Sequence, residues 1–436
     1  MLSRRPVPLG QAVPSHLVSS STSSLPAVVL KAGHVRPVWA GHPWVFAQAI
    51  ERIDGEVQPG DEVRVLDARG NALGRGLCSP GSAIAVRIFS FDPVVGVDAA
   101  LFERRLERAV MLRRAAGLPE ERPGHETTGY RLVHGEGDGL PGLIVDVYGD
   151  VLCVQLGTAG LARRAPELLD LLEKLVGPRA IVDRTPAPVA QSEGFVASAG
   201  VVRGAAQSEL RFHERGLRYE LPLVLGQKTG YYFDQRPLRA LVEPLVRGSR
   251  VLDACCYVGS FALTAARGGA ARVLAVDTSA PAIAAARACA ESNGFGDRIE
   301  LAAEEAASAF ARVGAQGGAD LVICDPPKLA PGPRRGAGRA AHRSEGRAHE
   351  RVLDAYRSLG TQAARAVAPG GVLAFSCCAG SVSLEELQRA LALGARDAGR
   401  RALVVERCFQ GADHPVPAAF PEGLYLKTLV ARIDVS

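Results

Sequence analysis

The spacing of apolar positions divides the chain into three stretches of different character. From Ala27 to Phe89 short apolar runs alternate with turn signals: Val28-Val29-Leu30, then Gly33, Gly41 and Pro43, then Trp44-Val45-Phe46. Val63 and Val65 stand at the two-residue period of a strand, and Asp67-Ala68-Arg69-Gly70 makes the next turn. Turns about every ten residues predict a small β-barrel over 27–97. A helix is predicted from Asp98 to about Ala116, with Leu101, Leu106, Val110 and Leu112 set among arginines. It leads into a small central α/β unit, the two together spanning 98–204. That unit has predicted strands from Tyr130 to His134, Gly142 to Val147, Val151 to Leu156 and Ala180 to Asp183, and a helical period over 161–176. The third stretch, 205–436, alternates strand and helix. Apolar runs end at Asp253, Asp277, Asp325 and Ser376, with helices predicted after the first two. Buried strands separated by helices predict a doubly wound, parallel, Rossmann-like sheet, which places ligands at the carboxyl ends of its strands.

Composition changes this picture little. Hydrophobic residues make up 47% and charged residues 22%, ordinary for a globular chain, and the net charge of +5 is too small a bias to argue a polyanionic partner. Nine cysteines include the adjacent pairs Cys255-Cys256 and Cys377-Cys378 but no CxxC spacing. A reduced, cytoplasmic compartment with no metal site fits them best. No apolar run approaches the roughly 18 residues that span a bilayer, so no membrane partner is expected. Residues 1–50 hold no Asp or Glu. A transit peptide would share that composition, but a disordered extension over 1–26 is the favoured reading.

The chemistry concentrates in the third stretch. The strand ending at Asp253 runs through Ala254-Cys255-Cys256-Tyr257-Val258-Gly259-Ser260-Phe261 into a helix. Small residues there let backbone approach a ligand, and Asp277, ending the next strand, can accept hydrogen bonds from ribose hydroxyls. A full GxGxxG is missing, so no second glycine clears space for a pyrophosphate. S-adenosylmethionine, which has none, fits better than a nicotinamide dinucleotide. Asp325-Pro326-Pro327-Lys328 is a rigid turn able to hold a flat base, with Asp325 for its polar edge. Phe375-Ser376-Cys377-Cys378 closes a later strand, and Cys377 is the candidate thiolate. Carbon 5 of a pyrimidine is a poor nucleophile until a thiolate adds to carbon 6.

Together these residues resemble the bacterial 23S ribosomal RNA 5-methylcytosine methyltransferases with an N-terminal PUA domain. The resemblance covers roughly 28–433. Its most specific stretches are Tyr130 to Leu143 (YRLVHGEGDGLPGL) and Gly226 to Arg236 (GQKTGYYFDQR). Asp325 to Lys328, Phe375 to Cys377, Ala412-Asp413-His414-Pro415 and Pro421 to Lys427 add to it. It implies a PUA-like barrel, a central α/β domain and a class I methyltransferase domain, with S-adenosylmethionine held by Asp253, Tyr257, Gly259, Phe261, Asp277, Thr278 and Gln235. Asp325 and Lys328 would line the reaction centre and Cys377 would be the nucleophile. The implied partner is RNA, 23S ribosomal RNA or a pre-ribosomal particle; a homodimer is allowed but not argued. The chain departs from the family where an Asp meets the adenine amine. Glu304-Glu305 stands there, and Glu305 aligns better. The basic run before Glu193-Gly194 is replaced by Ala190-Gln191-Ser192, Gly360 replaces an Asn, and Leu329 replaces an aromatic.

An insertion over 332–351 carries Arg335, Arg339, Arg343, Arg347 and Arg351 at intervals of four. On a helix they form a slowly spiralling basic stripe suited to phosphates, whereas the glycines among them favour a solvated loop. Two rivals to carbon methylation stay open. Exocyclic-nitrogen methylation would place an aromatic after Pro-Pro and needs no cysteine. An RNA-binding protein with a lapsed centre would not need Asp277, Asp325 and Cys377.

Overall fold

A computed structural model describes residues 25–205, 207–225, 229–329 and 339–435; over 339–345 the backbone alone is described. The extension before Leu25, Gly226-Gln227-Lys228 of the second family stretch, and Arg335 of the basic insertion lie outside the described residues.

The N-terminal unit is a six-stranded sheet in the spatial order Trp44–Phe46, Ile84–Ser90, Ala72–Cys78, Glu62–Leu66, Ala27–Leu30, Ile50–Asp54. Its core is Val28, Leu30, Val45, Val63, Val65, Val86 and Ile88, the inward half of each alternating strand. The helix Ala99–Ala115 starts at Asp98, whose carboxylate caps the Leu101 amide. It packs Leu101, Phe102, Leu106 and Ala109 into the core of the central sheet, Gly200–Gly204, Ala180–Asp183, Val151–Leu156, Leu143–Tyr148, Gly129–His134.

Seven strands build the C-terminal sheet. In chain order they are Arg250–Ala254, Arg272–Asp277, Ile299–Ala303, Ala319–Cys324, Val367–Cys377, Arg400–Phe409 and Lys427–Val435. In space they run third, second, first, fourth, fifth, seventh, sixth. The first five are parallel and, the edge strand Ile299–Ala303 apart, their runs of Val, Leu, Ile and Ala are largely buried. The last strand departs from this parallel set. Lys427–Val435 lies antiparallel between the fifth and sixth strands. The chain reaches that slot from a hairpin-like return, and a strand entering beside its predecessor without a helical crossover must reverse direction. A hairpin, Glu209–Glu214 with Leu217–Pro222, covers the helix Ala280–Ser292 and was not anticipated.

The basic insertion is helical where it is described, within Arg339–Ala366. Arg347 and Arg351 are exposed, whereas the side chains of Arg339 and Arg343 lie outside the described residues. Among the described residues no helix is long and apolar enough to cross a membrane.

Candidate active site

The carboxyl ends of the first, second and fourth strands open onto one cleft of about 560 Å³. The turn after Asp253 shapes its floor. Cys255 and Tyr257 adopt left-handed φ values of 66° and 51°, a strain of about 1–3 kcal/mol each. The turn is held by what surrounds it. The Tyr257 amide donates to Asp277 Oδ2 at 2.9 Å, the Cys256 amide to the Val276 carbonyl at 2.9 Å, and the Tyr257 hydroxyl to the Gly230 carbonyl at 2.9 Å. Gly259 caps the following helix Ser260–Arg267 at φ 74°, and a Cβ there would stand 3.1 Å from Ala286 Cβ. That position needs glycine on both counts.

Of the residues anticipated for the cofactor, Gln235, Tyr257, Phe261, Asp277, Thr278 and Asp325 line the cleft, as does Lys328. Asp253 and Gly259 sit behind its wall. Asp253 is buried, accepts from the Ala262 amide at 3.0 Å, and leaves Oδ1 without a hydrogen-bond partner. Burial, reinforced by the nearby carboxylates of Asp325 and Asp277, pushes its pKa up to about 8. Gln235 is 3% exposed with Oε1 likewise unpartnered. On the cleft lining, the Gln235 oxygen lacking a donor, beside the carboxylates of Asp277 and Asp325, suits a cationic ligand that brings N–H groups. S-adenosylmethionine, with an ammonium and a sulfonium, is such a ligand.

Of the two adjacent acids expected at the adenine end, one faces the cleft. Glu304, not Glu305, lines the cleft. Glu305 takes the N-cap position of the helix Ala306–Ala315 and is exposed, while Glu304 folds back with its amide on the Asp277 carbonyl and its carboxylate 2.6 Å from Arg312. The helix start fixes which of two adjacent acids faces inward.

The end of the fifth strand contributes the cysteines. The strand ends at Cys377 and Cys378 lies just beyond it, and the pair divides. Cys378 stands on the cleft wall beside Asp325, Pro326 and Pro327. Cys377 does not. It is 0% exposed, packed under the helix Arg339–Ala366, with Sγ 3.8 Å from the Ala379 carbonyl. The buried Tyr356 hydroxyl lies beside it, held above the usual phenol range by burial and by the Cys377 sulfur.

Several residues of the site gave no sequence signal of their own. Arg239 lines the cleft, is buried, pairs with both oxygens of Glu214, and lies 5.0 Å from the Tyr231 ring centre. Tyr232 meets Tyr257 edge to face at 5.4 Å.

Cofactor binding should be linked to a proton. Near pH 7 Asp253 in the free protein is largely protonated, and a cation beside it favours the ionised form. Binding therefore releases a proton and tightens as pH rises, levelling above about 8. Calorimetry at pH 7 in buffers of different ionisation enthalpy measures the release. Asp253→Asn should remove most of it, and equal release by the two proteins would refute the linkage.

Comparison with known proteins agrees with this geometry. Residues 28–91 match the family model of a PUA-like domain, and 131–353 that of an S-adenosylmethionine-dependent methyltransferase. Ribosomal RNA large subunit methyltransferase I of Cronobacter sakazakii is 34% identical over 409 residues, covering 93% of this chain and 99% of that protein. The protein of the same description from Shewanella denitrificans is 35% identical over 410 residues, again 93% and 99%. Among solved structures, a protein of Streptococcus mutans described as a SAM-dependent methyltransferase superposes with a TM-score of 0.76 at 18% identity, covering 93% of this chain and 99% of its own. That likeness extends to the whole three-part fold. The chain belongs to the family of S-adenosylmethionine-dependent methyltransferases that carry an N-terminal PUA-like domain.

Proposed function

We propose that this enzyme methylates carbon 5 of a cytosine in 23S ribosomal RNA, acting in the cytoplasm, with Cys377 as the covalent nucleophile. The observation that carries the reading is the convergence on one cleft of the cofactor turn, the Asp325-Pro326-Pro327-Lys328 turn and the cysteine-bearing strand end. The near full-length relatives are described as large-subunit ribosomal RNA methyltransferases, and the PUA-like barrel supplies a second surface for RNA.

When bound, S-adenosylmethionine supplies an electrophilic methyl group. The chain supplies the rest. Asp277 would offer carboxylate oxygens to the ribose, and Glu304, on the cleft lining, would accept from the adenine amine. Pro326 and Pro327 fix the wall against which the base lies flat, and Asp325 accepts from its exocyclic amine. Cys377 Sγ adds to carbon 6, the π electrons move to carbon 5, and the carbanion-like centre takes the methyl group. Loss of the carbon 5 proton then drives out the thiolate and restores the ring. Cys377 stands one residue behind the wall formed by Cys378 and Leu426, so its sulfur must turn about its single side-chain torsion when a base enters. Its sealed resting position keeps the thiol from solvent between turnovers.

Incubating the enzyme and labelled cofactor with 23S ribosomal RNA from a strain lacking the relative, then mapping nucleosides by mass, tests the function. The expected product is a single 5-methylcytosine. A label on an exocyclic nitrogen, or none, would refute it.

A further inference from the structure

Lys427 opens the last strand directly opposite Cys377 in the sheet register. It is 5% exposed, and its Nζ donates to the Val382 carbonyl at 2.6 Å and the Ala379 carbonyl at 3.2 Å. The Cys377 thiol points to that same Ala379 carbonyl at 3.8 Å. Ammonium and sulfur thus converge on one oxygen, inside a wall that excludes water. An isolated structural lysine would reach for a carboxylate or for solvent. This one has its hydrogen bonds on two neutral carbonyls, so its charge is left to act on its surroundings.

The other groups around the pair are Glu386, Tyr356, His349, Asp325 and Cys378. Glu386, on the helix Leu384–Asp397, is engaged by His349 at 2.7 Å and by the Ser383 amide at 2.8 Å. Tyr356 and His349 come from the long helix Arg339–Ala366, Asp325 from the end of the fourth strand, and Cys378 from the residue after the fifth. Tyr356 is held neutral by burial. Burial pulls the lysine below its ordinary range, and the neighbouring Cys377, Cys378 and Glu386 pull it back up.

We propose that Lys427 is a positioning residue for methyl transfer: its ammonium favours the thiolate that Cys377 forms as it turns toward a bound base, and ties down the Ala379–Val382 turn that borders the sulfur. The inference rests on Cys377 being the nucleophile. Once the sulfur has turned into the cleft its proton leaves to water there, and the electron pair left on sulfur forms the bond to carbon 6. Elimination returns that pair to sulfur, still facing the ammonium.

The test uses the full-length enzyme with unmodified 23S ribosomal RNA and S-adenosylmethionine, in single turnovers from pH 6 to 9.5, on wild type, Lys427→Gln and Lys427→Arg. An unassisted thiol ionises near pH 8.5, so losing the ammonium should slow Lys427→Gln roughly 10- to 100-fold at pH 7. The gap should close toward pH 9, because the acid limb of the rate profile has moved up rather than the whole profile down. Lys427→Arg keeps the charge and should keep the wild-type limb. If Lys427→Gln does not fold, Lys427→Arg decides: a limb displaced upward there overturns the inference. A Lys427→Gln profile lowered equally at every pH also overturns it, since that is what a purely structural lysine gives. Cys377→Ala run alongside separates the failures. Methylation persisting in it removes the nucleophile assignment and this inference together, whereas its loss beside an unshifted Lys427→Gln limb removes this inference alone.

Discussion

Cys377→Ala is expected to lose methyl transfer by roughly 10⁴-fold or more, the scale on which removal of a covalent nucleophile acts. Cofactor affinity should stay within about twofold, since Cys377 lies outside the cleft lining. Replacing the target cytosine by 5-fluorocytosine blocks the final proton loss, so wild type should form an RNA adduct that survives denaturation. Cys378→Ala should still form it, more slowly, because a wall residue against the base has been cut back. Cys377→Ala should not. The opposite pattern, with an adduct in Cys377→Ala and none in Cys378→Ala, would move the nucleophile to the cysteine already on the wall.

That one-residue question shows where sequence reading runs out. The periods of the apolar residues were enough to place four of the five parallel strands and the helices after the first two, because buried strands have little other use for unbroken Val, Leu and Ile; the half-exposed edge strand Ile299–Ala303 gave no such run. The cofactor turn was equally plain, since a small-residue strand-to-helix link followed by an acid at the end of the next strand states its own geometry. Phase was harder. Cys377 against Cys378 and Glu304 against Glu305 each differ by one position. In both cases the answer came from where an element starts or stops, which hydrophobic spacing leaves uncertain by a residue or two. The end of the apolar run was a usable clue for the cysteines, because the strand stops at Cys377 and Cys378 lies beyond it. Lys427 offered no such clue. Its role depends on a strand inserted antiparallel beside Cys377, a pairing fixed by tertiary structure alone.

The second large effect concerns motifs whose meaning only the coordinates disclose. The stretch Tyr130 to Leu143 and the segment Ala412 to Pro415 carry no chemistry at the cleft. Arg113, 1% exposed, pairs with both oxygens of Asp138, donates from Nε to the Arg131 carbonyl at 2.8 Å, and from Nη2 to the Asp413 carbonyl at 2.8 Å. One guanidinium thereby ties the helix Ala99–Ala115, the turn Gly135–Asp138 and a loop some 300 residues away. Asp413 in turn accepts from the Arg131 amide at 3.1 Å and Arg236 at 2.9 Å, so the central unit and the methyltransferase sheet share one buried network. Asp138→Leu should cost about 3–5 kcal/mol, because it strands a buried cation rather than removing a weak surface pair. Arg113→Met combined with Asp138→Leu should recover much of that loss, since neither charge is then left alone. Thermal melting of the wild type and the two variants, read by calorimetry so that separate unfolding of the units is visible, measures it. A double variant no more stable than Asp138→Leu would mean that the bonds to the two carbonyls, not the ion pair, hold the units together.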